Sequence, residues 1–244
     1  MSRLQGKTAV VTGGGSGIGL GAARRFVDEG AFVYIFGRRQ EVLDAAVAQL
    51  GSSAKAVRGS VTNPSDLDRL YEAVEAERGG LDILFANAGT GSFARLGEIT
   101  PEHYDQIFDV NVKGLVFTVQ KALPLMTEGA SIILTGSSTG VMGTPQFSVY
   151  SATKAAVRNL ARSWALDLRD TGIRVNVLSP GPTKTELALE VVGEEGMDAL
   201  GSTTPLGRMG DPAETGAVAA FLASSDSSFM TGGEVFVDGG LAQV

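Results

Sequence analysis

The chain has 244 residues, 43% of them hydrophobic, with 33 glycines and a formal net charge of −7; this suits one domain with a substantial core and argues against general affinity for nucleic acid or an anionic membrane. Zero cysteines exclude disulfides, thiolate metal sites and thiolate nucleophiles, and a single histidine, His103, argues against a histidine-centred metal cluster or a Ser-His-Asp triad. The start "MSRLQGKTAVVTGG" has no signal-peptide apolar region and the longest apolar runs, such as "AVAAFLA" at 217–223, are too short to span a bilayer, so a cytoplasmic location is expected.

In chain order, short β-branched or apolar runs recur between helical stretches: "KTAVVT" (7–12), "FVYIF" (32–36), "AKAVRG" (54–59), "DILFAN" (82–87), "ASIILTG" (130–136), "IRVNVLS" (173–179) and "EVFVDG" (234–239). Near-continuous apolar strands joined by helix-length crossovers predict a single-domain (1–244), doubly wound α/β fold of Rossmann type. Its seven strands form a parallel sheet with helices on both faces, and ligands bind at the C-terminal strand ends. Pro64, Pro101 and Pro212, each followed by acidic residues, mark helix starts.

Directly after the first strand, "TGGGSGIGLGAARRF" places Gly13, Gly17 and Gly19 ahead of a helix. Glycine lets the backbone turn tightly and approach a ligand, and the helix N-terminus offers free amides and a positive dipole end to phosphate. The same glycines would also serve simple strand-helix packing. In "VYSATKAAV" (149–157), Tyr150 and Lys154 lie four residues apart on one helical face. An ammonium beside a phenol favours tyrosinate, so the spacing predicts a Tyr150 pKa drawn toward neutrality, with an exposed tyrosine packed on a lysine stem as the alternative.

Together, "TGGGSGIG", "NAG" (87–89), Asn111, "SSTG" (137–140), "YSATK" (150–154) and "PGPTKT" (180–185) resemble the short-chain dehydrogenase/reductase family, over nearly the whole chain and in order. Within it the chain looks similar to bacterial NADP-dependent secondary-alcohol dehydrogenases, also called ketone reductases. The resemblance implies Tyr150 as general acid/base, Lys154 as the group that favours its ionised form and holds the nicotinamide ribose, Ser137 (with Ser138 as competitor) as the hydroxyl that polarises the carbonyl, and Asn111 as anchor of a proton relay. It implies cofactor contacts from Gly13, Ser16, Gly17, Ile18, Gly19, Ser60, Val61, Asn87, Ala88, Gly89, Tyr150, Lys154, Pro180, Gly181, Thr183 and Thr185. Ser60 departs from the family pattern, which often has aspartate near the adenine.

At "IFGRRQEV" (35–42) an NAD enzyme usually carries Asp or Glu at the strand end; here Gly37 leaves room for a 2′-phosphate and Arg38 and Arg39 follow, so NADP(H) is the expected cofactor. Ser137, Thr139, Met142, Phe147, Tyr150 and Leu187 are the expected substrate contacts, with a lid over 186–206. Its acids Glu186, Glu190, Glu194, Glu195 and Asp198 would repel a strongly anionic substrate. The expected reaction interconverts a neutral, fairly apolar ketone and a secondary alcohol. The alternatives are a 3-oxoacyl thioester or polyol substrate and, remotely, a non-catalytic dinucleotide sensor. No metal ligands are identified. Helices around 108–126 and 150–168 are apolar over more than one face, and by the family's habit they and "FVDGGLAQV" predict a homotetramer, with a dimer as alternative.

Overall fold

The computed structural model describes residues 2–244. Strands β1 (Thr8–Thr12), β2 (Phe32–Gly37), β3 (Ala54–Arg58), β4 (Leu81–Ala86), β5 (Met126–Thr135), β6 (Arg174–Pro180) and β7 (Glu234–Val237) form one sheet in the order β3-β2-β1-β4-β5-β6-β7, with every pairing parallel. Between them run α1 (Gly17–Asp28), α2 (Gln40–Leu50), α3 (Pro64–Arg78), α4 (Pro101–Phe108), α5 (Leu115–Ala122), α6 (Ser148–Asp167), α7 (Glu186–Ser202) and α8 (Pro212–Ala223).

Alternation along β1 sends Val10 to one face and Ala9 and Val11 to the other. On the first face, Val10, Leu84 and Ile132 pack with Leu67 and Leu70 of α3, Val119 of α5 and Val157 of α6. On the second, Val11, Ile83 and Ile133 pack with Phe26 of α1, Leu43 of α2 and Leu222 of α8. A strand clothed on both sides needs apolar residues at consecutive positions, which is why these runs show no polar alternation.

The three expected prolines open helices, and each is preceded by a capping side chain. Asn63 accepts from the Ser65 N–H, Thr100 from the His103 N–H and Asp211 from the Ala213 N–H, while Glu214 completes a capping box at α8. Three departures from the sequence expectation have a visible structural cause. Strand β5 begins at Met126 because exposed 127–129 bulge out, so pairing jumps from Leu81–Met126 to Ile83–Ser131. Strand β7 stops at Val237, where Asp238 turns the chain by accepting the Gly240 and Ala242 N–H groups. The helix expected around 108–126 is interrupted by a π-helical turn over Asp109–Gly114, and a 3-10 turn, Leu123–Leu125, leads into β5.

The chain reaches β3 at one edge and returns across β1 to β4, so connections leave in opposite directions above the C-terminal ends of β1 and β4 and open a crevice there. Among the described residues no helix is long and apolar enough to cross a membrane.

Candidate active site

The glycine loop forms one wall of the crevice. The Gly13 N–H donates to the Phe36 carbonyl at 2.8 Å, with φ +64° at Gly13, and a Cβ on Gly19 would collide with the Gly13 carbonyl oxygen. Ser16 stands at the N-cap of α1 with its hydroxyl unused by the cap, and Ile18, in the first turn of the helix, packs partly buried against the core. Thr185 caps α7 by accepting the Ala188 N–H at 3.1 Å, and its methyl faces Gly17, where a Cβ would come within 3.1 Å. Two helix N-termini therefore meet at the loop, around backbone too close for side chains. That cradle fits a dinucleotide pyrophosphate.

Beyond the loop, Thr12 and Asn87 tie the strand ends together. The Thr12 hydroxyl oxygen accepts the N–H groups of Asn87 and Ala88, both at 3.0 Å, while Asn87 Nδ2 donates to the Thr12 carbonyl and Asn87 Oδ1 accepts from Thr135. Thr12 is not among the expected site residues, although it closes the first strand. At the end of β3 the Ser60 N–H donates to the Asp66 carboxylate at 2.8 Å. That bond, with Arg69, holds the carboxyl below the usual carboxylate range. Asp66 thus braces the loop that carries Ser60. Val61 is buried against Gly114 of the π-helical turn.

At the end of β2, Gly37 has free room: a Cβ there would meet Leu43 only at ordinary contact, 3.5 Å. The Arg38 side chain is exposed and has no acidic partner among the described residues. Arg39 does have one, Glu186 of α7, at 3.1 Å. At the end of β6, Pro180 pairs with Val237, a Cβ on Gly181 would strike Asp238, and the Thr183 hydroxyl donates to the Gly181 carbonyl at 3.0 Å. Helix α7 is broken at Gly193, where φ is 70° and ψ 176°.

Tyr150 and Lys154 are one turn apart on α6, but the ammonium lies 5.4 Å over the phenol ring centroid and donates to the Thr135 carbonyl at 2.8 Å. Burial dominates both groups: it pushes the Tyr150 phenol up to about 12, with only Ser137 pulling it down, and Lys154 down to about 8. The expectation that Lys154 draws the phenol toward neutrality is corrected for the free protein, because desolvation outweighs a cation held at the ring face. Ser137, buried at the end of β5, is the hydroxyl that pulls the Tyr150 pKa down; its oxygen accepts from the Thr139 hydroxyl at 3.1 Å and from the Thr139 N–H at 3.3 Å.

Asn111 is 1% exposed inside the π-helical turn, where it accepts the Thr90 N–H at 2.8 Å and donates to the Thr90 carbonyl at 2.9 Å and the Thr153 hydroxyl at 3.1 Å. Gly89 separates it from Lys154: a Cβ there would lie 3.4 Å from Asn111 Oδ1 and 3.7 Å from Lys154 Nζ. Phe147 stacks on Tyr150 with centroids 4.4 Å apart, and Phe93 meets Phe147 at 4.7 Å. Gly91 admits the Tyr150 ring so closely that a Cβ would come within 2.8 Å of it. Phe93 and Gly91 carry no sequence signal beyond proximity to "NAG". Met142 is half-buried and Leu187 exposed, and neither takes part in these contacts. His103 lies in the first turn of α4, its Nδ1 3.3 Å from the Ser92 hydroxyl.

The family model described as enoyl-(acyl carrier protein) reductase matches residues 13–242. The chain is 65% identical over 246 residues to oxidoreductase asL5 of Sarocladium schorii, spanning 100% of this chain and 99% of that one. It is 36% identical over 245 residues to the NADP-dependent (R)-specific alcohol dehydrogenase of Lentilactobacillus kefiri, spanning 98% and 97%. A solved structure of 3-ketoacyl-(acyl-carrier-protein) reductase from Brucella melitensis, complexed with NADH, matches with a TM-score of 0.92 and 32% identity over 98% of this chain and 99% of that one.

Proposed function

Since the chain belongs to the short-chain dehydrogenase/reductase family of oxidoreductases, we propose that it interconverts a neutral, largely apolar ketone and the matching secondary alcohol with NADP(H). The observation that carries this reading is the meeting of Ser137, Tyr150 and Lys154 beside the glycine cradle, at the C-terminal end of the sheet. The bound dinucleotide supplies or accepts the hydride.

In the reduction direction Tyr150 holds its proton, because burial keeps the phenol neutral, and passes it to the carbonyl oxygen as negative charge gathers there. Ser137 Oγ accepts from Thr139, which leaves its own hydrogen to donate to the same oxygen. Lys154, an ammonium below about pH 8, stabilises the tyrosinate that remains, and Asn111 and Lys154 share the small space at Gly89 through which the proton is replaced. The Gly13–Gly19 loop would hold the pyrophosphate, with Ser16, Thr183 and Thr185 beside it, and Asn87, Ala88, Gly89, Ser60 and Val61 would meet the adenosine.

The NADP choice is supported by Gly37 and the unpaired Arg38; one similar protein is NADP-dependent by name and another was solved with NADH. For the substrate, the aromatic wall of Phe93, Phe147 and Tyr150 favours an apolar body, with Thr139, Met142 and Leu187 as further contacts and residues 186–206, α7 and the turn after it, as a lid hinged at Gly193. The exposed acids of α7 weigh against a 3-oxoacyl group on an anionic carrier, the second reading that the Brucella relative suggests. We place the enzyme in the cytoplasm as one domain per chain and as a homotetramer, or alternatively a dimer, built on residues 108–126 and 150–168 and the C-terminal segment; light scattering giving a monomer mass would contradict the assembly.

The function is tested by following nicotinamide absorbance with purified protein against apolar ketones, polyols and 3-oxoacyl thioesters. Turnover of the ketones is expected, and Tyr150→Phe loses ~10²–10⁴-fold in rate while still binding dinucleotide. Turnover confined to thioesters or polyols, or an active Tyr150→Phe, rejects the reading.

A further inference from the structure

Arg39 and Glu186 face each other across the adenosine side of the crevice, from two elements far apart in sequence. Arg39 is the N-cap of α2, two residues beyond the end of β2 at Gly37; Glu186 is in the first turn of α7, next to the Thr185 cap that touches Gly17. Their Nη2–Oε2 separation is 3.1 Å, and both side chains are more than half exposed. Glu186 also lines an open depression of about 310 Å³, together with Gly15, Ser16, Gly17, Val42 and a second acidic residue, Glu41.

We propose that Glu186 is a specificity-determining residue, competing with the adenosine 2′-phosphate of NADP(H) for Arg39. This rests on the NADP reading above and deepens it. A 2′-phosphate held near Gly37 has Arg38 uncommitted, but it obtains the second guanidinium only by displacing the Glu186 carboxylate, which also repels it across the depression. NAD(H) has no group that makes this exchange, so with NAD(H) bound Glu186 keeps Arg39. Glu186 therefore narrows the margin by which NADP(H) is preferred. Because it belongs to α7, the same exchange frees the first turn of the lid from the β2–α2 connection only when a 2′-phosphate is present.

The test measures calorimetric binding of 2′,5′-ADP and of ADP to the purified full chain in four forms: wild type, Glu186→Gln, Arg39→Gln and the double variant. Wild type is expected to bind 2′,5′-ADP more tightly than ADP. Glu186→Gln widens that ratio by roughly two- to fivefold, the range for an exposed ion pair, with the ADP constant moving less than the 2′,5′-ADP constant. In the Arg39→Gln background the gain shrinks, because the contested cation is gone. A ratio unmoved in Glu186→Gln, with ADP still bound, overturns the inference and leaves the NADP reading standing. The same gain with and without Arg39 overturns the competition in favour of plain charge repulsion. Wild type binding ADP at least as tightly as 2′,5′-ADP overturns the NADP reading and this inference with it.

Discussion

Lys154 covers the ring face of Tyr150, its ammonium 5.4 Å from the ring centroid, while its proton is committed to the Thr135 carbonyl at 2.8 Å. The free enzyme thus pairs a phenol whose pKa is raised to about 12 with an amine whose pKa is lowered to about 8. On the proposed mechanism reduction needs the neutral phenol and the cationic lysine together, and the lysine charge is the first to be lost as pH rises. For ketone reduction kcat/KM is expected to be level near neutral pH and to fall above about 8. A profile still rising well above that point would contradict the assignment.

The same burial makes Lys154 a cost to folding. Its folded pKa is below its unfolded one, so the unfolded chain binds more protons between about 8 and 10.5, and stability contributed at this position rises with pH through that window. Below about 8 the penalty is fully present. Denaturant titrations of the unliganded protein should show wild type gaining on Lys154→Met between pH 7 and pH 10. The gain is at most about 3 kcal/mol, since each tenfold change in proton affinity is worth ~1.4 kcal/mol. A difference that stays constant or moves the other way would count against the buried ammonium.

Gly37 accepts a side chain without strain, since the nearest atom to a Cβ there is Leu43 Cδ2 at 3.5 Å. Gly37→Asp should fold normally, repel a 2′-phosphate and offer the free ribose an acceptor. The ratio of kcat/KM for NADPH over NADH is expected to drop by about tenfold or more, on the order of 1.4 kcal/mol. A wild type that prefers NADH, or a folded variant with an unchanged ratio, defeats the prediction.

Asn111 satisfies Thr90 at both its N–H and its carbonyl and also reaches Thr153, at 1% exposure. Asn111→Ala leaves buried polar groups without partners, at a cost of about 2–4 kcal/mol. Thermal denaturation should show a drop of about 5 °C or more for a chain of this size. A drop under about 1 °C would mean that other groups or water replace those bonds.

The seven strands and the crevice are legible in the sequence because the central strands are buried on both faces and many turns are punctuated by glycine, proline or a capping residue. The family motifs lead to Asn111, Ser137, Tyr150 and Lys154, and the fold does bring these four residues to one end of the sheet. What stays hidden depends on contacts distant in sequence. Nothing near Arg39 announces Glu186, 147 residues away, and nothing in "TGS" announces that the Tyr150 ring lies against Gly91. Spacing misjudges the Tyr150 pKa because it reports which charges are neighbours and says nothing of how dry their surroundings are. The π-helical turn at 109–114 is only hinted at, by the amide of Asn111 as a polar kink within a helical pattern; what holds Asn111 inward is bonding to Thr90 and Thr153.

The strand order carries a consequence for the time course of folding. Strand β1 pairs on one side with β2, about twenty residues later, and on the other with β4, more than seventy residues later. During synthesis the glycine loop therefore emerges well before the strand that braces it through Asn87, and Tyr150 emerges later still. Closing such long loops is slow compared with forming the local helices. A nascent chain ending before β4 holds the glycine sequence without Asn87, its partner in the cradle, so the capacity to grip a dinucleotide arrives late and as a unit, after the central strand has found its second neighbour.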